Sequence, residues 1–254
     1  MPRLTALGVS SELVARVPEL PREVIAIMVY GSQARGDAVP GSDLDLLAVL
    51  PRARPSTYAG DVSISYYTLE QLDSGIGTLF GAHLKRDGHI LADPSGQLNV
   101  SVHGMGDVDT DRLFARSLHL TQLFTCPQMD LPKYLTGLVR EARYLLRSCL
   151  YARAIAQGSP CFSVRELAIR HSDPDLTQLL ASRHTDEPTL AELDACLIRL
   201  RRILGSFPTN DHGSLEATIV NEWENPGDLL SMAFLALGIT GQETDYAEVE
   251  KILL

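Results

Sequence analysis

Two apolar runs in the first fifty residues constrain the fold of this chain more than any other feature. The first run, 23–30, reads EVIAIMVY, and the second, 44–50, reads LDLLAVL. Nearly unbroken apolar runs of this length are typical of strands that are covered on both faces. Asp43 precedes the second run and Asp45 interrupts it. The pattern therefore predicts a sheet covered by helices, and it leaves two carboxylates in an apolar strand to be explained.

The residues that follow predict a third strand and then a helix. Residues 62–69 alternate apolar and polar positions, as a strand with one covered face does. Thr68 and Gln71 have the spacing of a capping box, which predicts a helix from there to a stop at Gly88. A short strand over 89–91 completes the block.

The hydrophobic period changes from two to 3.6 in the middle of the chain. Residues 97–110 are rich in small and polar types and predict a linker between a first domain, 1–96, and a second, 111–254. The helical patterns beyond the linker cover 111–124, 132–157, 188–204, 228–237 and, last, 246–253. The fold class is therefore α+β: a small mixed sheet with flanking helices, followed by an all-α helical bundle.

Composition and charge favour some classes of partner over others. The chain of 254 residues has a formal net charge of −10, which disfavours long-range attraction to DNA or RNA and suits a cationic substrate or a protein. The N-terminus does not resemble a secretory signal, and no apolar run reaches eighteen residues, so we expect a cytoplasmic protein without a membrane partner. Four widely spaced cysteines are predicted to be reduced core residues: Cys126, Cys149, Cys161 and Cys196.

The two carboxylates suit a divalent metal. Residues i and i+2 of a strand point to the same face, so Asp43 and Asp45 lie side by side, roughly 6–7 Å apart at the backbone. Two like charges in an apolar setting are costly unless a cation compensates them. Oxygen ligands at this spacing suit Mg²⁺, and two such ions about 3.5–4 Å apart favour in-line phosphoryl displacement.

The turn after the first run suits phosphates. Gly31 allows close approach of a backbone to an anion, and Ser32 adds a hydroxyl donor. Arg35 adds a positive charge three residues further on. Phosphate donors beside metal ligands together indicate a site for a nucleoside triphosphate.

Two other sets of basic residues allow alternative interpretations. Lys85 and Arg86 end a predicted helix, where they either complement its dipole or contact a triphosphate or acceptor. Arg140, Arg143 and Arg147 recur at helical spacing and form either a solvated stripe or a phosphate-binding surface. Lys85 and Arg143 are retained as candidate nucleotide-binding residues.

The combined motif resembles a known signature. Gly31-Ser32, ten intervening residues and then Asp43-Leu44-Asp45-Leu46 look like the signature of the DNA polymerase beta-type nucleotidyltransferase superfamily. The fuller form, GSQARGDAVPGSDLDLL, is most similar to the minimal nucleotidyltransferases of prokaryotic toxin–antitoxin modules, and aminoglycoside nucleotidyltransferases are more distant. The resemblance is specific over about twenty residues, extends plausibly over the first hundred, and does not cover the helical part.

The resemblance implies roles for individual residues. It implies that Gly31 and Ser32 bind the triphosphate and that Asp43 and Asp45 hold two Mg²⁺ ions. The family's third carboxylate lies on the following strand, and Asp61 is the matching candidate for a metal ligand and general base. The implied enzyme transfers a nucleoside monophosphate from an NTP, ATP by default, to a hydroxyl and releases pyrophosphate.

The acceptor stays open at this point. A protein hydroxyl fits the closest form of the motif, a tRNA end fits the two-domain size, and a small cationic molecule such as an aminoglycoside fits the acidity. A regulatory module that binds nucleotide without transfer is a further alternative. The oligomeric state cannot be predicted from these patterns.

Overall fold

The computed structural model describes residues 2–39, 42–125, 130–180, 187–224 and 227–238. These residues form two compact units, of which one ends at Val108 and the other begins at Asp109. The expected helix at 246–253 and the side chain of Cys126 lie outside the described residues.

The first unit is built on a mixed five-stranded sheet. Its strands are β1 (Ala26–Tyr30), β2 (Leu44–Val49), β3 (Thr57–Ala59), β4 (Val62–Tyr67) and β5 (His89–Ala92), in the spatial order β3-β4-β2-β1-β5. β2 and β4 run parallel, whereas the other neighbouring pairs are antiparallel. The mixed sheet expected from the sequence is confirmed, and all five residues of β1 are buried, as its unbroken apolar run predicts.

Six helices cover this sheet on its two faces. They are α1 (Pro2–Ala6), α2 (Ser11–Arg16), α3 (Gly31–Arg35), α4 (Leu69–Asp73), α5 (Leu79–Asp87) and α6 (Gln97–His103). Leu44, Leu46 and Ala48 belong to the core cluster shared with the first two helices, and Leu47 belongs to the cluster shared with α4 to α6. Alternate residues of one strand thus enter different cores, because successive side chains point to opposite faces.

The structure differs from the expected elements at three places in this unit. The helix predicted from Thr68 to Gly88 is two helices, and the capping box of Thr68 starts only the first of them. Thr78 caps the second after a turn in which Gly77 has a φ of +78°. The segment 97–110, expected to be a linker, contains α6, and β3 was not predicted.

The second unit is helical. Its helices are α7 (Thr110–Leu120), a 3₁₀ turn (Thr121–Thr125), α8 (Leu131–Ala156), α9 (Val164–Arg170), α10 (Leu176–Leu179), α11 (Leu190–Leu204), α12 (Leu215–Glu222) and α13 (Asp228–Leu237). The 26-residue α8 packs against α7, α11 and α13 and is the centre of the core. Cys149, Cys161 and Cys196 are buried and free, as predicted. Within the described part of the chain, no helix combines the length and apolarity needed to cross a membrane.

Candidate functional site

The turn between β1 and α3 places backbone directly against a carboxylate. Tyr30 ends β1 in an extended conformation, and Gly31 follows with a φ of +75°, in the left-handed region that favours glycine. A Cβ atom added to Gly31 would overlap Asp45 Oδ2 and lie 3.3 Å from its Cγ. The two halves of the motif are therefore in contact, and only glycine leaves room for that contact.

Asp45 is held between two neighbouring strands. It is paired with Tyr30 of β1 and with Ser63 of β4, and the Ser63 hydroxyl donates a hydrogen bond of 3.0 Å to Asp45 Oδ1. Asp43 stands two residues earlier, just before β2, with its Oδ1 atom buried. Both aspartates are partly exposed. Their carboxylate oxygens fit Mg²⁺, which takes oxygen ligands and completes its shell with water and phosphate.

Asp61 has a different environment from the other two aspartates. It lies in the turn before β4, where its backbone carbonyl accepts a hydrogen bond of 2.8 Å from the amide of Leu44. Its side-chain Oδ2 accepts a hydrogen bond of 2.9 Å from Arg16 of α2. Across the described ranges, no three His, Cys, Asp or Glu side chains are grouped so that they could hold a metal ion. The structure therefore brings Gly31, Asp45 and Ser63 together and places the Asp61 carboxylate on Arg16.

Arg35 lies at the C-terminal end of α3 and contacts groups of its own chain. Its guanidinium is 3.2 Å from Asp37 Oδ1, 3.5 Å from Asp87 Oδ2 and 3.1 Å from His83 Nε2. Two carboxylates of the protein therefore already lie close to the positive charge of Arg35. The contacts tie α3 to α5 and hold the residues that follow Gly31 in place.

His83 packs beside the end of β1 as a neutral ring. Burial lowers the pKa of His83 from 6.5 to about 3, and the nearby charges of Arg35 and Arg86 act in the same direction. The unprotonated Nε2 can then accept the hydrogen bond from Arg35. The ring also meets Tyr30 edge to face, with centroids 5.9 Å apart. Burial raises the pKa of Asp87, one turn further along the helix.

Lys85 and Arg143 lie in different units. Lys85 is exposed in the last turn of α5, the position that complements the helix dipole. Arg143 is buried in α8, where its Nη2 is 2.7 Å from Glu192 Oε1 of α11.

The three arginines of α8 all contact other groups of the protein, and two of them are buried. Arg140 contacts Glu141 Oε1 at 2.8 Å and the carbonyl of Leu235, and Arg147 donates to the carbonyl of Leu180. Arg143 and Arg147 are each less than a tenth exposed. Of the two alternatives left open by the sequence, a fully solvated stripe does not fit Arg143 and Arg147, because α8 has neighbouring helices on several sides. Phosphate binding by Arg143 stays a prediction.

The sequence alone did not single out Ser63, Arg16 or His83. Ser63 could have been found by pairing the alternation of the third strand with that of the second. His83 and Asp87 have the i, i+4 spacing of neighbours on one helix face, which is a weak signal. Arg16 carries no signal, because its partner is 45 residues away in the chain.

The part of the chain that contains this geometry matches a known family model. Residues 10–87 match the family model described as the nucleotidyltransferase domain. The match includes both halves of the motif and α2 to α5, and it supports nucleotidyl transfer in general as the function of this region. It covers less than half of the chain, and the helical unit lies outside it.

One solved structure among those that match is titled a nucleotidyltransferase-like protein from Exiguobacterium sibiricum 255-15. It is 16% identical, the match covers 80% of this chain and 74% of that one, and the TM-score is 0.29. No curated protein matches this chain.

Proposed function

We propose that the first unit is the catalytic part of a magnesium-dependent nucleotidyltransferase. In the reaction, an acceptor hydroxyl attacks the α-phosphate of an NTP, a new P–O bond forms, and the bond to pyrophosphate breaks. The contact between Gly31 and the Asp45 carboxylate carries this proposal. It supports a single site in which a backbone that can approach a phosphate lies against a metal-binding group.

Each residue of the site has a role in this proposal. Asp43 and Asp45 hold two Mg²⁺ ions, which supply charge stabilisation for the transferred phosphoryl group. Gly31 and Ser32 line the triphosphate. Arg35, already fixed by carboxylates of its own chain, orients α3 and adds positive charge near the phosphates. ATP is the default nucleotide of this proposal.

We further propose that the acceptor is a hydroxyl of a protein or a tRNA, in a toxin–antitoxin or defence setting. The likeness of the motif to minimal nucleotidyltransferases supports a protein acceptor. The net charge of −10 disfavours tRNA and suits the alternative of a small cationic acceptor, as in aminoglycoside nucleotidyltransferases.

Transfer of label tests the reaction and the acceptor together. The full chain is incubated with Mg²⁺, each α-³²P-labelled NTP and a cell lysate, and label is followed into protein, RNA and small molecules. We expect Asp45→Asn to abolish incorporation and Asp107→Asn, which removes an exposed carboxylate of the same unit, to leave it unchanged. Equal incorporation by the Asp45→Asn variant would show that the site has been assigned wrongly.

A second candidate function is a regulatory module that binds nucleotide without transferring it. The observation that favours it is the Arg16 contact of Asp61, the residue expected to supply the general base. Magnesium-dependent binding of NTP with no labelled product from any lysate fraction would support this module over the enzyme.

A further inference from the structure

The residue of β4 that lies beside Asp45 is a serine. β2 and β4 are parallel and in register, with Asp45 opposite Ser63. Paired residues of neighbouring strands project from the same face of a sheet. The hydrogen bond of 3.0 Å from Ser63 Oγ to Asp45 Oδ1 shows that the two side chains meet there. The position on β4 closest to the metal-binding carboxylate thus carries a neutral hydroxyl.

The acidic residue of this segment is directed elsewhere. Asp61 precedes the first residue of β4, and its carboxylate accepts a hydrogen bond from Arg16. Arg16 ends α2, whose Leu13 and Val14 pack on the core that contains Leu44 and Leu46. Those leucines alternate with Asp45, so α2 covers the sheet face opposite to Asp45. Arg16 therefore holds the Asp61 carboxylate towards the other side of the sheet.

We infer that the metal site has two acidic ligands, Asp43 and Asp45, with Ser63 as a positioning residue and Asp61 as part of the α2 anchor. The inference rests on the proposed function in taking Asp43 and Asp45 as metal ligands. A hydroxyl donor orients the Asp45 carboxylate but adds no negative charge to attract a cation. The remaining anionic oxygens must then come from the triphosphate, so the divalent ion and the nucleotide bind together.

This arrangement also limits the chemistry of the acceptor. A serine hydroxyl is not a base at neutral pH, whereas a carboxylate at its position would be one. Proton removal from the acceptor therefore does not use a carboxylate of β4. Substitutions at Ser63 can add a charge or remove the hydroxyl separately, so they test whether this position faces the metal site.

The test is a titration of Mn²⁺ followed by electron paramagnetic resonance, without nucleotide and with α,β-methylene-ATP. We expect the wild-type protein to bind Mn²⁺ weakly alone and at least about tenfold more tightly with the nucleotide. Ser63→Asp should raise the nucleotide-free affinity about tenfold or more, because a third carboxylate joins the site. Ser63→Ala is the matched control: it removes the hydroxyl, adds no charge and should not raise that affinity.

The Asp61→Asn variant tests whether Asp61 or Ser63 is the residue of the β4 segment that faces the metal site. It should leave both Mn²⁺ affinities unchanged and lower the melting temperature, because the contact with Arg16 is weakened. A loss of Mn²⁺ affinity as large as that of Asp45→Asn, in a variant with a native circular dichroism spectrum, would make Asp61 a ligand and overturn the inference. Equal nucleotide-free affinities of Ser63→Asp and Ser63→Ala would also overturn it.

Failure of the proposed function gives a different result. If the nucleotide does not increase Mn²⁺ uptake by the wild-type protein, nucleotide binding at this site is refuted. The nucleotide-free comparison of Ser63→Asp with Asp61→Asn still reports which position of the β4 segment faces the two aspartates.

Discussion

Replacing Gly31 by alanine tests the central contact of the site. The substitution adds one methyl group at a position where the backbone has a φ of +75° and where the carboxylate of Asp45 occupies the available space. It is therefore expected to strain the backbone and to displace the carboxylate that we propose as a metal ligand. The two effects can be separated, because the chain offers another glycine that shares only the first of them.

The structure gives the size of each effect. An L-residue in the left-handed region costs about 1–2 kcal/mol in stability. The overlap with Asp45 Oδ2 requires the carboxylate to move by about 1 Å to reach ordinary contact distance. That movement breaks the hydrogen bond from Ser63, which is worth about 0.5–1.5 kcal/mol. We expect Gly31→Ala to lower the free energy of unfolding by about 1.5–3.5 kcal/mol in total and metal–nucleotide affinity by about a hundredfold.

Gly36→Ala is the matched control. Gly36 ends the same short helix with a φ of +76°, and an added Cβ there has nothing within 4 Å. It should lose the same 1–2 kcal/mol or so of stability from the backbone and keep its affinity for Mn²⁺ and nucleotide. Urea unfolding and the Mn²⁺ titration measure the two quantities. An unchanged affinity for the Gly31→Ala variant, in a protein that remains folded, would refute the reasoning.

A double mutant isolates the clash itself. In an Asp45→Ala background the nearest remaining neighbour of the new methyl group is the Cβ atom of residue 45, at the ordinary distance of 3.5 Å. Gly31→Ala should then cost only the backbone strain. An equal cost in both backgrounds would mean that the carboxylate does not restrict residue 31.

Three further predictions concern other parts of the chain. His83 has a pKa of about 3 in the folded protein and 6.5 in the unfolded chain, so the unfolded chain binds a proton first as the pH falls. The free energy of unfolding should therefore decrease as the pH drops from 6.5 towards 3, by at most about 1.4 kcal/mol per pH unit. Urea unfolding of His83→Gln should lack this pH-dependent loss of stability. Arg143→Met should lower stability by about 1–3 kcal/mol through loss of the Glu192 contact, with nucleotide affinity unchanged by titration; a large loss of affinity would instead support nucleotide binding by Arg143. Gly137→Ala should destabilise the helical unit by about 1–3 kcal/mol in urea, since its methyl group would meet the carbonyl of Ala236; unchanged stability would contradict that close approach.

The main elements of the sheet could be predicted because they depend on local patterns. The apolar runs around Tyr30 and Asp45 correspond to β1 and β2, and the Thr68 capping box starts α4 as expected. The turn before Thr78 was missed, because a helical pattern continues across Gly75 and Gly77 in the sequence. An added Cβ at Gly75 would meet the backbone carbonyl of Leu72, three residues earlier, at 3.0 Å, a constraint of local backbone geometry that composition does not reveal.

The helix α6 shows how packing overrides composition. The segment 97–110 contains many small and polar residues, which favoured a linker. Leu98 and Val102 are nevertheless buried in the core on one face of the sheet, together with Met105. Two apolar side chains four residues apart thus dock the short helix, and Met105, two residues beyond its end, joins the same core.

The surroundings of the α8 arginines could not be predicted for a related reason. A periodic stripe of charge normally lies on the solvent side of an amphipathic helix. α8 has helical neighbours on several sides, so its arginines contact Glu141, Glu192 and backbone carbonyls. The sequence gives the period of such a stripe, but the number of neighbouring helices decides what it faces.

The alternation of side chains along a strand does not tell whether Asp61 or Ser63 lies beside Asp45. The two residues are separated by one position, so a regular strand would direct both to the face that carries Asp45. The register of β2 and β4 pairs Asp45 with Ser63, and the position of Asp61 in the preceding turn lets it reach Arg16. Register and turn geometry are set by contacts between segments that are distant in the sequence. An acid near the start of a third strand therefore indicates a third metal ligand only when its register with the two-aspartate strand is known.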